Sequence, residues 1–393
     1  MMSVADGTRC PVCGAEAHGL DYGVQDVPVR SMTIHADRET AMEVQRGSID
    51  LAACIECGLV FNSSFDPATQ LDTSDYEETQ AFSATFQGYT VDLARRLLER
   101  HGLQEGLVLE IGCGKAGFLA TICHQSKVRA VGVDPTVDPL RVPVEMRERL
   151  LVIRDRYREG HAEWAEQADL VCCRHTLEHL IDPLEILGPL RRHLDERPGT
   201  PIFIDVPSGG HVLEIGGCWD VYYEHCMYYR DEAFVRMLER SGFRVLDVHR
   251  EYEGQYLCVE STIGDHVRRS TPIEPPDIAP LARNRDRWAD WFSSDARGEV
   301  VLWGSGSRAV GFLGAVDVEG GVAGVVDINP RRRGRWMPGF EHPILSPEEL
   351  REHPPDSVVI MNPAYATEIR RELDRVGVSP KVHVVDRPPA VSG

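Results

Sequence analysis

The chain has 393 residues, a length that suits two or three domains rather than one. Its 42% hydrophobic and 26% charged residues predict a well-packed soluble protein, and its formal net charge of -20 disfavours nucleic acid as a partner, because an acidic surface repels phosphate backbones. No stretch approaches the roughly 20 apolar residues of a membrane span, and the N-terminus shows neither the basic nor the apolar region of a secretory signal. Several cysteines lie in apolar segments, as in Val171-Cys172-Cys173, which favours a reducing, cytoplasmic setting over a disulfide framework.

Two CxxCG units lie in residues 1–70, and their thiols belong to Cys10, Cys13, Cys54 and Cys57. A glycine after the second cysteine lets each turn close with a positive φ. Four thiolates at this spacing suit a tetrahedral zinc ion and leave no coordination position open for catalysis. We therefore predict a structural zinc-binding domain over residues 1–70, with an inserted segment between the two pairs. Four unrelated free cysteines are the alternative.

Residues 71–297 alternate short apolar runs with helical patterns, which is typical of a doubly wound α/β fold. A proline-rich stretch at residues 270–280 indicates a connector, and a charged helix is expected after it. The apolar runs predict strands at 107–111, 130–133, 150–153, 170–173 and 202–206, helices at 93–100, 184–194 and 282–292, and closing strands at 245–248 and 256–259.

Residues 298–393 begin a second α/β unit with a strand, a glycine turn at 304–306 and a helix. Further strands are expected at 324–327, 357–361 and 381–385. Asp327 follows the glycine turn by about 20 residues, which is the spacing of a dinucleotide-binding fold. The sequence thus predicts a C-terminal Rossmann-like domain.

The first strand of the middle region ends in a glycine turn that carries Glu110, Gly112, Cys113 and Gly114 and opens a helix. Glycines let backbone amides approach a ligand closely, and a helix N-terminus attracts anions. A carboxylate at Glu110 would repel a pyrophosphate, however. It suits the ammonium and the cationic sulfonium of S-adenosylmethionine, so the turn predicts a site for that cofactor.

Three further polar residues follow the next strands in order. Asp134 ends the second strand, where an acid can accept both ribose hydroxyls, and Asp155 after the third strand could reach the adenine amino group. His175 after the fourth strand is a further candidate cofactor contact. This order resembles the class I S-adenosylmethionine-dependent methyltransferases. The third glycine usual in that family is Ala116 here, so a slightly shifted turn is expected.

The order of the three parts resembles the three-domain C-methyltransferases of deoxysugar biosynthesis, and this resemblance covers essentially the whole chain. Its most specific local piece is Tyr222-Tyr223-Glu224-His225, which further aromatic residues follow. The resemblance implies a nucleotide-linked keto sugar as substrate and His225 as the base that removes the proton beside the ketone. Carbon is a poor nucleophile until a neighbouring carbonyl acidifies it, so such a base is required, and histidine titrates near neutral pH.

The neighbours of His225 suggest further roles. Tyr222 could hydrogen-bond the keto oxygen and stabilise the enolate. Glu224 could orient the imidazole or bind a sugar hydroxyl, and His179 matches a histidine that the family places near the substrate, as a second acid or base. The alternative for the whole cluster is a partly buried aromatic helix start with a satisfied histidine.

In the C-terminal unit, the resemblance implies that the glycine turn helps to hold the nucleotide diphosphate. Its candidate phosphate contacts are Ser305, Ser307 and Arg308. A domain that serves only as a scaffold is the alternative. The basic run at residues 331–335 could add phosphate contacts or be a solvated loop.

Three rival functions remain open at this point. The same scaffold could methylate oxygen or nitrogen, with His225 deprotonating a hydroxyl. A nicotinamide-dependent oxidoreductase would use the C-terminal glycine turn and explain Asp327, but it would not explain Glu110, Asp134 and Asp155. A non-catalytic zinc scaffold would bind a partner without any cofactor. No oligomeric state follows from the sequence.

Overall fold

The structure is a computed structural model that describes residues 8–69, 76–77, 80–264, 272–296, 298–318 and 321–389. The predicted boundaries at residues 70 and 297, and residues 270–271 of the predicted connector, lie outside the described residues. The division into three domains therefore stays a prediction, and the description below follows the sheets.

Strands and helices alternate through most of the described chain. The strands, in chain order, are β1 (Ala17–Pro28), β2 (Arg46–Cys54), β3 (Val60–Asn62), β4 (Leu107–Ile111), β5 (Arg129–Val133), β6 (Leu150–Ile153), β7 (Leu170–Arg174), β8 (Ile202–Pro207), β9 (Met227–Tyr228), β10 (Phe243–Glu251), β11 (Tyr256–Ile263), β12 (Val300–Trp303), β13 (Val322–Val326), β14 (Arg335–Trp336), β15 (Pro343–Leu345), β16 (Ser357–Ile360) and β17 (Lys381–Val384). The α-helices are α1 (Arg38–Met42), α2 (Ala84–Arg100), α3 (Gly117–Gln125), α4 (Ala162–Gln167), α5 (Leu184–His193), α6 (Gly209–Ile215), α7 (Asp231–Arg240), α8 (Ala279–Ser294), α9 (Ser307–Ala315) and α10 (Ala366–Val376).

The middle sheet has seven strands in the order β10-β11-β8-β7-β4-β5-β6. Strands β4 to β8 run parallel, and the β10–β11 hairpin closes one side, with β11 antiparallel to β8. The strand order reverses between β4 and β7. Ligands of open α/β sheets bind in the crevice at the carboxyl ends of the strands at such a reversal. This sheet confirms the predicted α/β fold class and places the glycine turn after β4 at that crevice.

The helix that precedes this sheet begins earlier than its apolar pattern indicates. The prediction starts it at residue 93, whereas α2 starts at Ala84. Ser83 caps the helix, because its hydroxyl accepts a hydrogen bond from the Phe86 amide at 3.2 Å. The first two turns of α2 hold Phe86 and Tyr89 among polar and small residues, so their apolar pattern is sparser than that of the later turns.

The N-terminal sheet fills the gap between the two cysteine pairs with an antiparallel hairpin. Strands β1 and β2 pair so that Ala17 lies opposite Cys54, which brings the two CxxCG turns together. The sheet order is β1-β2-β3-β9. Its last strand, β9, comes from residues far along the chain and pairs Tyr228 with Val60 of β3. The N-terminal sheet is therefore completed by the segment that directly follows His225.

The C-terminal sheet has the order β14-β15-β13-β12-β16-β17, with β14 as its only antiparallel strand among the described residues. Helix α9 packs against the turn that holds Trp219, which is fully buried. A Cβ at Gly311 of α9 would lie 2.4 Å from the Trp219 carbonyl oxygen, so this close approach requires glycine. One apolar cluster, which includes Trp219, Trp288 and Phe312, thus joins the three parts of the molecule. Among the described residues, no helix combines the length and apolar character needed to cross a bilayer.

Candidate active site

The three sheets meet around a cavity of about 880 Å³. The carboxyl ends of β4, β5 and β7 form one wall. The segment that carries Tyr222, Glu224 and His225 forms a second wall, and the glycine turn before α9 faces it from the C-terminal sheet. Arg30 and Met32 of the N-terminal part complete the lining. A single cavity therefore gathers the cofactor turn and the aromatic segment that the sequence singles out.

The turn after β4 requires glycine at two positions. Gly112 has φ +74° and Gly114 has φ +51°, and a Cβ at Gly112 would lie 1.9 Å from the Thr176 hydroxyl oxygen. Ala116 takes the left-handed conformation at φ +58°, and Gly117 begins α3 directly after it. The alanine therefore adopts a backbone conformation that glycine adopts without strain. Cys113 is buried and lines the cavity beside this turn.

Glu110 is the last charged residue of β4 before the turn. Its side chain is 2% exposed and lines the cavity, and Oε2 has no hydrogen-bond partner within the part of the chain that the structure describes. Burial raises the pKa of this carboxyl to about 8, because water no longer stabilises its charged form. A cation that entered the cavity would supply the missing stabilisation. Glu110 is therefore suited to an ammonium or sulfonium group.

Two further residues predicted to contact the cofactor, Asp134 and His175, line the cavity. The Asp134 carboxylate accepts hydrogen bonds from the Gly114 amide at 2.9 Å and the Thr136 amide at 2.6 Å, and it lines the cavity. His175 also lines the cavity, with its ring against Tyr256 at 4.5 Å between centroids. Burial lowers the pKa of His175, so its imidazole is neutral near pH 7.

Asp155 does not reach the cavity, contrary to the sequence-based expectation. Its carboxylate accepts hydrogen bonds from Arg158, at 2.6 Å from Nη2, and from the Arg156 amide at 2.9 Å. The cavity is lined instead by the following residues, Arg156 and Tyr157. The turn after β6 directs the Asp155 side chain toward solvent, and a contact to adenine from this carboxylate has no support in the geometry.

Tyr222 and His225 are in direct contact on the wall opposite the cofactor turn. The Tyr222 hydroxyl lies 2.8 Å from His225 Nε2, and the rings of His179 and His225 meet edge to face at 4.9 Å. His179 Nδ1 lies 3.0 Å from the Glu224 carbonyl oxygen. A carbonyl oxygen can only accept, so Nδ1 of His179 carries the proton and Nε2 carries the lone pair.

Burial sets the protonation of this cluster. It lowers the pKa of His225 well below its usual value, and it lowers that of His179 to about 4, because the charged imidazolium loses water. Burial also raises the pKa of Tyr222 well above its usual value. At neutral pH both imidazoles are therefore neutral and the phenol is protonated. A neutral imidazole beside a phenol can accept a proton while the phenol donates a hydrogen bond.

Glu224 is held from the N-terminal part of the chain. Its carboxylate accepts hydrogen bonds from the Ser31 amide, at 2.8 Å, and from the Ser31 hydroxyl. The Ser31 hydroxyl also lies 2.7 Å from the hydroxyl of Ser307. The contact that orients the His225 ring comes from Tyr222 rather than from Glu224. Orientation of the imidazole by the Glu224 carboxylate therefore does not fit the geometry.

The three candidate phosphate contacts differ in their position. Ser307 and Arg308 line the cavity, whereas Ser305 is fully buried and does not. The Ser305 hydroxyl donates to the Asp327 carboxylate at 2.5 Å and accepts from Arg332 at 2.8 Å. Ser305 therefore closes its own turn and is unsuited to a phosphate.

Two further residues prove central to the cavity: Glu178, to which the sequence analysis gives no role, and Arg332, whose basic run was expected either to contact phosphate or to be solvated. Glu178 is 1% exposed and lines the cavity, and neither of its carboxylate oxygens has a hydrogen-bond partner among the described residues. Arg332, in the basic run at 331–335, is 3% exposed and also lines the cavity, so it is not part of a solvated loop. The position of Glu178 beside His179 in the sequence was a signal for it. No sequence signal pointed to Ser31, because it is separated from its partner Glu224 by 193 positions in the chain.

The four N-terminal cysteines converge as their spacing predicts. Sγ of Cys10 lies 3.6 Å from Sγ of Cys57, and Sγ of Cys13 lies 3.5 Å from Sγ of Cys54. A tetrahedral zinc ion with Zn–S bonds of about 2.3 Å separates its sulfur ligands by about 3.8 Å. The Cys57 amide lies 3.5 Å from Sγ of Cys54 and can stabilise a thiolate there. This geometry is compatible with a four-thiolate metal site.

Comparisons with known proteins identify two parts of the chain. Residues 84–248 match a family described as "Methyltransferase domain", and residues 292–383 match one described as "C-methyltransferase C-terminal domain". The chain belongs to the multidomain S-adenosylmethionine-dependent C-methyltransferases. It is therefore an enzyme, and the oxidoreductase and scaffold alternatives fall away.

Two curated proteins and one solved structure illustrate what the chain is similar to. The chain is 26% identical to the C-methyltransferase NovU of Streptomyces niveus, over 92% of this chain and 91% of that protein. It is 33% identical to a ubiquinone biosynthesis O-methyltransferase of Vibrio vulnificus, over 48% of this chain and 77% of that protein. A solved N1-methyltransferase structure from Burkholderia thailandensis aligns with a TM-score of 0.34 and 16% identity, over 53% of this chain and 96% of that one.

Proposed function

We propose that this C-methyltransferase transfers a methyl group to the carbon beside the ketone of a nucleotide-linked keto-deoxysugar. The observation that carries the proposal is the 2.8 Å contact between Tyr222 and His225 Nε2 in the same cavity as the cofactor turn. A neutral imidazole and a phenol at hydrogen-bond distance form a pair that can remove a proton and stabilise the oxygen that gains charge.

The cofactor wall of the cavity fits S-adenosylmethionine. Glu110 offers an unsatisfied carboxylate oxygen to the cationic end, and Asp134 is placed at the strand end where an acid accepts ribose hydroxyls. The cofactor supplies a methyl group that its sulfonium makes electrophilic. Gly112, Cys113, Gly114 and His175 form the wall against which it would lie.

The residues of the opposite wall carry the proton chemistry. His225 accepts the proton from the carbon beside the ketone, and Tyr222 donates a hydrogen bond to the keto oxygen as the enolate forms. His179 lies beside His225 and serves as a second acid or base, while Glu224 binds a sugar hydroxyl. General-base catalysis of this kind typically contributes about 10²–10⁴-fold in rate.

Cationic side chains near the C-terminal sheet support an anionic substrate such as a nucleotide diphosphate. Arg308, Arg332 and Arg333 line the cavity on that side. Nη1 of Arg308 and Nε of Arg332 are buried without hydrogen-bond partners among the described residues. Guanidinium groups with unmet donors favour phosphate oxygens. We propose that Ser307 and Arg308 contact the diphosphate and that Arg332 adds to its binding.

The four N-terminal cysteines complete the proposal as a structural zinc site. Cys10, Cys13, Cys54 and Cys57 would occupy all four positions of a tetrahedral ion, so the metal would stabilise the turns and take no part in methyl transfer. A cytoplasmic site of action stays a prediction.

Hydrogen–deuterium exchange tests the proposal. The wild-type enzyme with S-adenosylhomocysteine should exchange the proton beside the ketone of a suitable nucleotide keto sugar. His225→Asn should reduce exchange and methyl transfer by about 10²–10⁴-fold while cofactor binding is retained. His249→Asn, a histidine of β10 outside the cavity lining, is the matched control. A wild-type enzyme that methylates its substrate without exchange, or methylates its oxygen or nitrogen, would contradict the proposal.

A further inference from the structure

Glu178, His179 and His225 form a compact group inside the cavity. Each offers one ligand atom, and these atoms all lie within 4.8 Å of one another. All three residues line the cavity. Two imidazoles and one carboxylate are a donor set that divalent transition metals bind in proteins.

Glu178 is the member of this group that the methyl-transfer chemistry leaves unexplained. Its side chain is 1% exposed, and neither carboxylate oxygen has a hydrogen-bond partner among the described residues. A buried carboxyl group without partners is costly in either protonation state, because its polar atoms lose water and gain no hydrogen bond in return. A bound cation would remove that cost.

The orientation of His179 also suits a metal ligand. Its Nδ1 donates to the Glu224 carbonyl oxygen at 3.0 Å, so Nε2 presents its lone pair. Histidine ligands commonly donate their second ring nitrogen to a backbone carbonyl in this way, which fixes the tautomer and the ring orientation. Nε2 lies 3.9 Å from Oε1 of Glu178.

The Glu178–His179 distance is close to that of a filled site, and the other two ligand-atom distances are at most 4.8 Å. Zinc binds nitrogen and oxygen at about 2.1 Å, so two ligands of a tetrahedral ion are about 3.4 Å apart. The 3.9 Å between Glu178 and His179 must therefore shorten by about 0.5 Å. Small side-chain rotations supply such a change. Magnesium and calcium prefer oxygen ligands alone, so the two imidazoles favour zinc or cobalt.

We propose that Glu178, His179 and His225 bind a divalent cation of the zinc or cobalt class, and that this cation inhibits methyl transfer. The binding site follows from the geometry, whereas the inhibition rests on the proposed function of His225 as the base. One nitrogen of a neutral imidazole carries the proton, so a cation on the other nitrogen leaves no lone pair to accept a proton from the substrate.

Cobalt absorption measures the binding. Co²⁺ added to the full-length protein should produce visible bands of a nitrogen and oxygen site, while thiolate bands in the near ultraviolet would report exchange into the cysteine site. Glu178→Gln and His179→Asn should each lower the affinity for Co²⁺, measured by titration of the visible bands, at least about tenfold. His249→Asn is the control for adventitious binding, because His249 belongs to a separate group with Glu251 and Cys258.

Methyl transfer measures the inhibition. Zn²⁺ should abolish the wild-type reaction in competition with the keto sugar, and its inhibition constant should rise at least about tenfold in Glu178→Gln. Retained binding of S-adenosylhomocysteine shows that each variant is folded. If Glu178→Gln transfers methyl groups too slowly to assay, its cobalt spectrum still tests whether the cation binds at Glu178.

Two results would overturn the proposal. Equal cobalt affinity of the wild type and both ligand variants would show that these residues do not bind the cation. Full wild-type turnover with the cation bound would show that the cation does not inhibit methyl transfer. A failure of the proposed function is a different observation, since metal-free wild-type enzyme would then show no deuterium exchange on the keto sugar.

Discussion

The two glycine turns of this protein look alike in sequence and are alike in backbone. In each, an acid from the next strand accepts a hydrogen bond from a turn amide at 2.9 Å, Asp134 from Gly114 and Asp327 from Ser305. The first turn opens onto the cavity with an unsatisfied Glu110 beside it. The second turn also lines the cavity, but its own side chains engage its acid, because the Ser305 hydroxyl donates to Asp327 and Arg332 donates to Ser305. A strand–turn–helix pattern therefore indicates a site, and the neighbouring side chains decide which polar groups are left for a ligand.

The largest expected effect comes from adding one methyl group to each turn. In Gly112→Ala the new Cβ meets Thr176 at 1.9 Å and the residue keeps φ +74°, so we expect a loss of about 2–5 kcal/mol in stability and no measurable cofactor binding. Gly306→Ala is the matched change in the second turn, where φ is -79° and the nearest atom lies at 3.6 Å. It should cost less than about 1 kcal/mol. Thermal unfolding and calorimetry with S-adenosylhomocysteine measure both, and equal losses would contradict the comparison.

Both acids should contribute to stability, because each accepts hydrogen bonds from its own turn, but only Asp134 should contribute to cofactor binding. Asp134→Ala removes a charged acceptor from the cofactor wall, so we expect about 1.5–3 kcal/mol weaker binding, or roughly 10–100-fold. Asp327→Ala should leave cofactor affinity unchanged and lower the melting temperature, because Ser305 and the Asn329 amide lose their acceptor. Calorimetric titration and thermal unfolding of both variants test this. Weaker cofactor binding in Asp327→Ala would show that the second turn contributes to the cofactor site.

Glu110 should make cofactor binding depend on pH. Burial raises its pKa to about 8, so below pH 8 the free protein holds a proton there. A bound cation favours the carboxylate, so binding releases that proton and affinity rises with pH up to about 8, by at most about tenfold per pH unit. Above that pH the affinity should level off. Calorimetry at pH 6–9 in two buffers of different ionisation enthalpy counts the protons released when the cofactor binds. Glu110→Gln should abolish the release of the proton assigned to Glu110. The same proton release in Glu110→Gln would assign it to another group.

Ala116 offers the smallest change. Its left-handed conformation costs an alanine about 1–2 kcal/mol, which glycine avoids. Glycine also makes the unfolded chain more flexible, at a cost of about 0.4–1 kcal/mol. Ala116→Gly should therefore raise stability by about 0–1.6 kcal/mol and preserve cofactor affinity. Chemical denaturation measures the change, with Gly117→Ala as the comparison in the first position of α3, where no neighbouring atom lies within 4 Å. A destabilised Ala116→Gly would mean that the buried methyl group matters more than the backbone.

Much of the middle and C-terminal sheets could be predicted from the sequence, because their parallel strands are buried on both faces and appear as continuous apolar runs. Strands β4 and β6 were predicted with their observed bounds. The N-terminal strands were not predicted, because β1 mixes glycines and acidic residues with apolar ones and shows no regular alternation. The extra turns of α2 depend on a cap rather than on apolar spacing.

The candidate site was predictable where one strand end fixes the position of a side chain, as for Glu110 and Asp134. It was not predictable where a loop sets the direction, which is why Asp155 and Ser305 were placed at ligands that they do not face. The contacts of Glu224 with Ser31 and of His179 with the Glu224 backbone join segments far apart in the chain. The spacing of residues along the sequence gives no information on contacts between such distant segments.

The pairing of β9 with β3 has a consequence for protein engineering. Two residues separate His225 from Tyr228, and the latter is hydrogen-bonded into the sheet that the cysteine turns anchor. A chimera that exchanged the first 70 residues for those of another enzyme would replace the strand against which this segment is aligned. Recombination of acceptor specificity in such enzymes should therefore transfer β3 and the 222–228 segment together.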